Sequence, residues 1–255
     1  VAYSRPYESN VLGGSNWVDL ALEEGLNQTF DSNGLLTKSI GTAQGFVALD
    51  KGSLSGGDTG STAIEPGMSA APLLHWGRWY GDSNVTPTIN GSPSTLNAGE
   101  YLHYVTGAIT NSTVFSQGLL AGANGTTATY TYAGGTQATG TDGSVGDLSG
   151  SIAVSFLPAG ASLSLNLAVD MSDANSTRFE ITNATPIEVA GARFMADSQL
   201  TVTTSAGNNC STGCMANVSG FFAGQQAQQI GLSYNIQDDT RQISGAGAFA
   251  RGAID

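Results

Sequence analysis

The residue types that could do chemistry are few and widely spaced. His75-Trp76-Gly77-Arg78-Trp79 offers a cation between two indole rings, and His103 sits in a second aromatic run, Tyr101 to Gly107. One reading is a ring-lined surface with Trp76, Arg78 and Trp79 binding an anionic or stacked ligand. The plainer reading is a core strand in which Gly77 permits close packing and Arg78 pairs a carboxylate, and it carries more weight. His75 and His103, each beside aromatics, read as packed histidines rather than metal ligands. Acidic pairs are Asp170 with Asp173 and Glu180 with Glu188; at strand ends such residues are usually solvated, so a glycosidase pair is not favoured. Thr141 to Asp147 has oxygen donors and glycines but lacks the calcium-loop spacing with its terminal Glu, and reads as a turn. No nucleophile elbow, zinc-protease, P-loop or dinucleotide pattern occurs, so no enzymatic activity, cofactor or metal is expected.

Cys210 and Cys214, three residues apart in an Asn- and Gly-rich loop, are expected to form a disulfide. This requires an oxidising compartment and pins the loop locally. A metal site is the rival reading, but no further cysteine is present and both histidines are distant. Several Asn-x-Ser/Thr triplets, including those at Asn111, Asn124, Asn175 and Asn183, arise readily in a chain this rich in Asn, Ser and Thr.

The elements that position these groups are strands. Leu163, Leu165, Leu167 and Val169 alternate with polar or small residues; Ile152, Val154 and Phe156 do the same, and Leu200 and Val202 repeat the scheme. Period two with one apolar face is a half-buried antiparallel strand. The spacing predicts strands at 118–122, 126–132, 151–156, 162–169, 178–182, 200–204, 215–222, 230–236 and 242–249, with 73–80 and 101–107 before them. The last two are joined by a polar hairpin at Gln237 to Thr240. Ile243, Gly245, Gly247 and Phe249 share a face, with Gly247 clearing space beside the ring.

The fold class is therefore all-β: a closed antiparallel barrel of about eight strands, with a two-sheet sandwich as the alternative. Residues 61–255 are assigned to the barrel domain. Residues 1–60 form an irregular N-terminal extension or small extra sheet, and 51–62 have linker composition. Trp17 to Glu24 reads as strand or helical turn, and 35–40 and 44–49 as strands. The extension's apolar residues, Trp17 and Phe46 among them, must dock on the chain's own barrel or on a neighbouring copy.

The 255 residues include 35 glycines, 11% charged residues and a net charge of −12 with only eight basic side chains. That excludes nucleic acid, whose phosphates need a basic surface, and an anionic membrane surface. The 40% hydrophobic content in alternating runs excludes a disordered tract. No apolar run reaches transmembrane length, and Val1 is expected to be a mature or trimmed start.

Gly220-Phe221-Phe222-Ala223-Gly224, then Ala227, Gly231 and Tyr234, resembles the G-x-F-[FY]-G-x-x-A-x-x-x-G-G-x-[FY] signature closing the barrels of transferrin-binding-protein-B-like surface proteins. Leu232 replaces the second glycine of the pair, and the terminal Gly247-Ala248-Phe249 fits the closing strand. His75 to Trp79, His103 to Gly107 and Gly134-Gly135-Thr136 occur in an order similar to the C-terminal barrel segment of some bacterial FecR-domain proteins. The resemblance implies a barrel at an extracellular or bacterial outer surface. By the same resemblance it captures an unknown protein or small ligand, metal and haem included. The alternative is a structural subunit of an extracellular filament or matrix that self-assembles through its N-terminal segment.

Overall fold

The computed structural model describes residues 2–4, 27–33, 35–40, 47–50, 55–62, 73–80, 88–89, 92–93, 101–112, 125–157, 160–204, 210 and 213–252. Strands β1 (Ala2–Ser4), β2 (Asn27–Phe30), β3 (Leu36–Ile40), β4 (Val47–Asp50), β5 (Ser55–Ser61), β6 (Leu74–Tyr80), β7 (Thr88–Ile89), β8 (Ser92–Pro93) and β9 (Tyr101–Gly107) come first. Then follow β10 (Thr127–Gly135), β11 (Ala138–Gly140), β12 (Val145–Leu157), β13 (Gly160–Met171), β14 (Arg178–Asn183), β15 (Ile187–Val189) and β16 (Arg193–Ala196). The chain ends on β17 (Leu200–Thr204), β18 (Met215–Ala223), β19 (Gln229–Gln237) and β20 (Gln242–Arg251).

The fold is all-β, and the described residues form three sheets. The largest has eleven strands along the path β16-β18-β19-β20-β10-β12-β13-β14-β17, with β11 pairing β12 and β20, and β15 pairing β13. A four-stranded sheet runs β1-β9-β6-β5, and a five-stranded one β2-β3-β4-β7-β8. Among the described residues every strand pairing is antiparallel, and β12 with β13 stays in register over twelve pairs, Gly146↔Met171 to Leu157↔Gly160.

The alternation expected for this region is present. On β13 the buried side chains are Leu163, Leu165, Leu167 and Val169, and Ser164 and Asn166 are exposed. Inward side chains from β10 to β20 form one core, with Tyr130, Phe156, Phe179, Phe194, Phe222 and Phe249 as its large members. Burying such rings supplies most of the drive for folding this sheet.

Three expectations fare differently. Residues 51–62, read as a linker, include β5, paired with β6 from Ser55↔Tyr80 to Ser61↔His75 across a bulge between Gly57 and Gly60. The glycines are there because aromatic rings lie on them: a Cβ at Gly60 would stand 2.5 Å from the Trp76 ring. β5 also spans the 60/61 boundary, and β6 and β9 pair with it and with β1 rather than within the largest sheet. The short strands β1, β2, β7, β8, β11, β15 and β16 were not expected. The segments at 17–24 and 118–122 lie outside the described residues.

Candidate functional site

Period two decides what the aromatic strand β6 can do. Leu74 and Trp76 face the largest sheet and pack with Val105, Phe221, Ala246 and Ala248. Room for the Trp76 ring comes from two glycines, Gly60 and Gly134, where a Cβ would stand 2.5 Å from ring carbons. Trp79 points the other way and is fully buried. Its Nε1 donates to Leu36 O at 2.8 Å, and the Leu36 N–H donates to the Tyr104 hydroxyl at 2.8 Å. The Trp79 and Tyr104 rings lie 5.7 Å apart. The two tryptophans therefore bind one sheet to each neighbour, and the three expected ligand residues lie on two opposite faces.

Arg78 shares the Trp76 face at its outer edge. Its Nε is 2.7 Å from Asp58 Oδ2, and its guanidinium lies 5.0 Å from the Tyr101 ring centroid. Tyr80, paired with Tyr101 across the strands, has its ring 6.1 Å away and is 39% exposed. The structure thus assembles Arg78, Tyr80, Tyr101 and Asp58 into one rim. Tyr101 belongs to a strand the sequence placed well, but its partnership with Arg78 depends on register.

Both histidines are packed. His75 stacks on Phe30 at 4.7 Å, and burial lowers its pKa. His103 is fully buried between Thr136 Oγ1 at 2.8 Å and Thr139 Oγ1 at 2.6 Å. Burial first, and the Arg78 charge second, push His103 down to about 3, so the ring is neutral at physiological pH.

A second constellation was missed. Arg241, in the β19–β20 turn, has a side chain only 5% exposed and three carboxylates around it. Nε meets Asp238 Oδ2 at 3.1 Å, Nη1 meets Asp142 Oδ2 at 2.8 Å, and Nη2 meets Asp173 Oδ2 at 2.5 Å. Each aspartate uses its other oxygen to shape its own hairpin turn. Oδ1 accepts from Ser144 N at 3.0 Å, from Asn175 N at 3.0 Å and from Thr240 N at 2.8 Å. One buried arginine therefore staples three hairpin turns, using the fork of donors that lysine lacks. The Asp-x-[Ser/Asn/Thr] spacing was visible as turn chemistry, but nothing local says that three turns converge.

The staple commits the groups considered for metal or acid–base work. Asp142, in the possible calcium loop, is taken by Ser144 and Arg241. Burial would raise the Asp173 carboxyl, but hydrogen bonds from Thr177 and Arg241 outweigh it and bring it to about 2. Asp170 and Glu180 both pair Arg178, at 2.6 Å and 3.3 Å. Among the described residues no group of three or more His, Cys, Asp or Glu side chains is arranged to hold a metal ion. Nor is any helix long and apolar enough to cross a membrane.

The closing-signature residues each have a definite contact. Phe222 and Phe249 are fully buried in the main core; Phe222 meets Tyr130 and Phe194 edge-on at 5.9 and 6.1 Å, and Phe249 meets Tyr132 at 5.7 Å. Gly220 leaves space for Phe194, and Gly231 for Val105 on the opposite face. Gly224 (φ 87°) and Ala227 (φ 52°) form the β18–β19 turn in left-handed conformations, and the Tyr130 hydroxyl donates to Ala227 O at 2.7 Å. Cys210 and Cys214 are disulfide-bonded, a link of the kind that persists in oxidising compartments. A cleft of about 400 Å³ separates 109–112 from 190–193, with Arg193 on its wall.

No family model matches the chain, and no curated protein matches it. Among solved structures it is similar to the intact two-lobed Ap-TbpB (14% identity, TM-score 0.40), covering 93% of this chain and 40% of that one. It is similar to isotype 1 transferrin binding protein B of serogroup B Neisseria meningitidis (13%, TM-score 0.41, 92% and 37%). A point mutant of the vaccine antigen transferrin binding protein B of Haemophilus parasuis Hp5 is also similar (12%, TM-score 0.41, 89% and 45%). The chain spans less than half the length of each of these structures.

Proposed function

We propose that this chain is a secreted or cell-surface binding module without catalytic activity, built on a closed eight-stranded barrel. The ladders support eight positions. β11 shares a position with β10, since both pair β12 and β20; β14 and β15 share the next position after β13, since both pair it; and β17, which pairs β14, shares a position with β16, which lies beside β15. Eleven strands less three shared positions leave eight. The hairpin bridge Ala190↔Arg193 links β15 to β16, which pairs β18, so the path returns on itself.

The observation that carries the binding reading is the Arg78–Tyr101–Tyr80 rim. Arginine and tyrosine dominate the energetics of protein interfaces because they offer large, stiff contact area with a polar end. Here Arg78 is held by Asp58, and Trp76 and Trp79 fix the strand beneath it, so the rim is preorganised. The partner is a protein at the cell surface, in keeping with the closing signature.

The filament reading also has an observation in its favour. β1 adds to the β9 edge by antiparallel pairing, Ala2↔Val105 to Ser4↔His103, and the same pairing made by a neighbour's β1 would link copies. Size-exclusion chromatography with light scattering and negative-stain imaging separates the two. Discrete monomers are expected, and ordered polymers would replace the binding reading. Titration of the monomer over immobilised transferrin and over a haem surface then tests two partners, with Tyr80→Ala and Arg78→Ala expected to weaken any saturable binding about tenfold or more.

A further inference from the structure

Three of the acceptor triplets for N-linked glycan, inconclusive by sequence alone, are distinguished by the structure, and Asn124 lies outside the described residues. Asn183-Ala184-Thr185 is occupied internally: Asn183 Oδ1 accepts from Leu165 N at 2.5 Å, and its Nδ2 donates to Thr185 O at 2.7 Å and Leu163 O at 3.4 Å. A sugar on that nitrogen would displace these bonds and enter the β13–β14 ladder. Asn111 is exposed but has a contact of its own. Asn175-Ser176-Thr177 is different. Ala174, Asn175 and Ser176 are exposed at the tip of the β13–β14 hairpin, and the Asn175 backbone N–H, not its side-chain amide, is held by Asp173. Asp173 stands two residues before it and orders the tip through that backbone bond.

We propose that Asn175 is an N-glycan acceptor, modified during export before the β13–β14 hairpin closes. The order follows from Thr177, whose hydroxyl a transferase must reach at the third position of the triplet. In the folded chain Thr177 is fully buried and its N–H donates to Asp173 Oδ1 at 2.9 Å. Asp173 is in turn fixed by Arg241. The triplet is closed to a transferase once the staple forms, yet the Asn175 side chain still points outward and tolerates what was attached earlier. In the transfer, the Asn175 amide nitrogen bonds to the anomeric carbon of a polyprenyl-diphosphate-linked glycan. The anomeric C–O bond to diphosphate breaks, the amide proton passes to a base of the transferase, and polyprenyl diphosphate leaves.

The inference rests on the export reading, and one preparation tests both. The full chain is recovered from the cells that produce it and analysed without reduction by intact mass and peptide mapping. A glycan mass on Asn175, none on Asn183, and its loss in Asn175→Gln with an unchanged denaturation midpoint are expected. An unmodified Asn175 beside an intact Cys210–Cys214 disulfide overturns the proposal and leaves export standing; an unmodified Asn175 with free thiols overturns both. Occupancy of Asn183 overturns the structural sorting. For the order of events, chain made in a host without the pathway is offered to a purified oligosaccharyltransferase with its lipid-linked donor. The unfolded chain is expected to accept at least tenfold faster than the folded one, and equal rates overturn modification before closure.

Discussion

The two walls of the largest sheet are built by different rules. Across β12, β13 and β14, inward leucines, isoleucines and phenylalanines alternate with Ser, Asn, Asp and Glu, none of them buried. Across β18, β19 and β20 both faces are buried. The inner face carries Val218, Phe222, Ile230, Leu232, Tyr234, Ile236, Ile243 and Phe249, and the outer face Ser219, Ser233, Asn235, Ser244, Ala246 and Ala248. Small outer residues let the four-stranded sheet approach closely, with Trp76 filling the deepest gap. A Gly-, Ala- and Ser-rich strand here is a docking face rather than a weak strand, and this accounts for part of the glycine excess.

The largest expected effects ignore the difference, because both walls share one core. Phe222→Ala and Phe249→Ala should each cost roughly 3–5 kcal/mol, and Leu165→Ala on the other wall roughly 2–5 kcal/mol, read from denaturant midpoints. A Phe249→Ala midpoint equal to wild type would remove the closing strand from the core. Arg241→Gln should follow at about 3 kcal/mol, since it leaves carboxylates facing one another without their shared cation. A loss under about 0.5 kcal/mol would show that the staple is only decorative at the surface.

The contrast between walls is sharpest for enlargements of outward residues. Ala248→Leu on β20 intrudes on Trp76 and Val105 and should cost about 1–3 kcal/mol. Ser164→Leu on β13 points into water and should stay within about 0.5 kcal/mol. Equal shifts for the two would mean that the second sheet does not press on the β20 wall.

Legibility in the sequence followed the same division. Where one face meets water, period two was plain, so β13 and β14 were placed within two residues and β12 over its second half, whereas β18, β19 and β20, buried on both faces, were placed through the glycine corner and the polar hairpin between them. The closing signature supplied the inward rings and the turn at Gly224 and Ala227. Where both faces are buried, or where a strand is glycine under a tryptophan as in β5, periodicity vanishes and composition imitates a linker. The Trp76–Arg78–Trp79 run looked like one surface because sequence proximity hides strand alternation. The rim with Tyr101 and Asp58 needed the β6–β9 and β5–β6 registers, which no local pattern encodes. The Arg241 staple joins residues about a hundred positions apart in sequence, Asp142 and Arg241.

The smallest expected effect uses that staple to separate the walls by pH. Asp173 belongs to a hairpin of the half-exposed wall, and Asp238 and Arg241 to the hairpin of the doubly buried one. The Asp173 carboxyl, at about 2 against an ordinary 3.8, is held down in the folded state. A depressed folded pKa stabilises above the unfolded value and the gain is lost as pH falls, here between about 4 and 2. Solvent screening keeps the amount on the order of 1 kcal/mol. Asp173→Asn should lose that amount at pH 6 and then show a flatter decline from pH 4 to 2 than wild type. Amide exchange, corrected for intrinsic rates, should rise at 172–177 as the carboxyl protonates. At 238–241 it should change less, because the Arg241 N–H is donated to fully buried Asp238 at 2.8 Å. Equal acceleration at both tips would mean that the three turns open as one unit, so that the staple erases the difference between the walls at this end of the molecule.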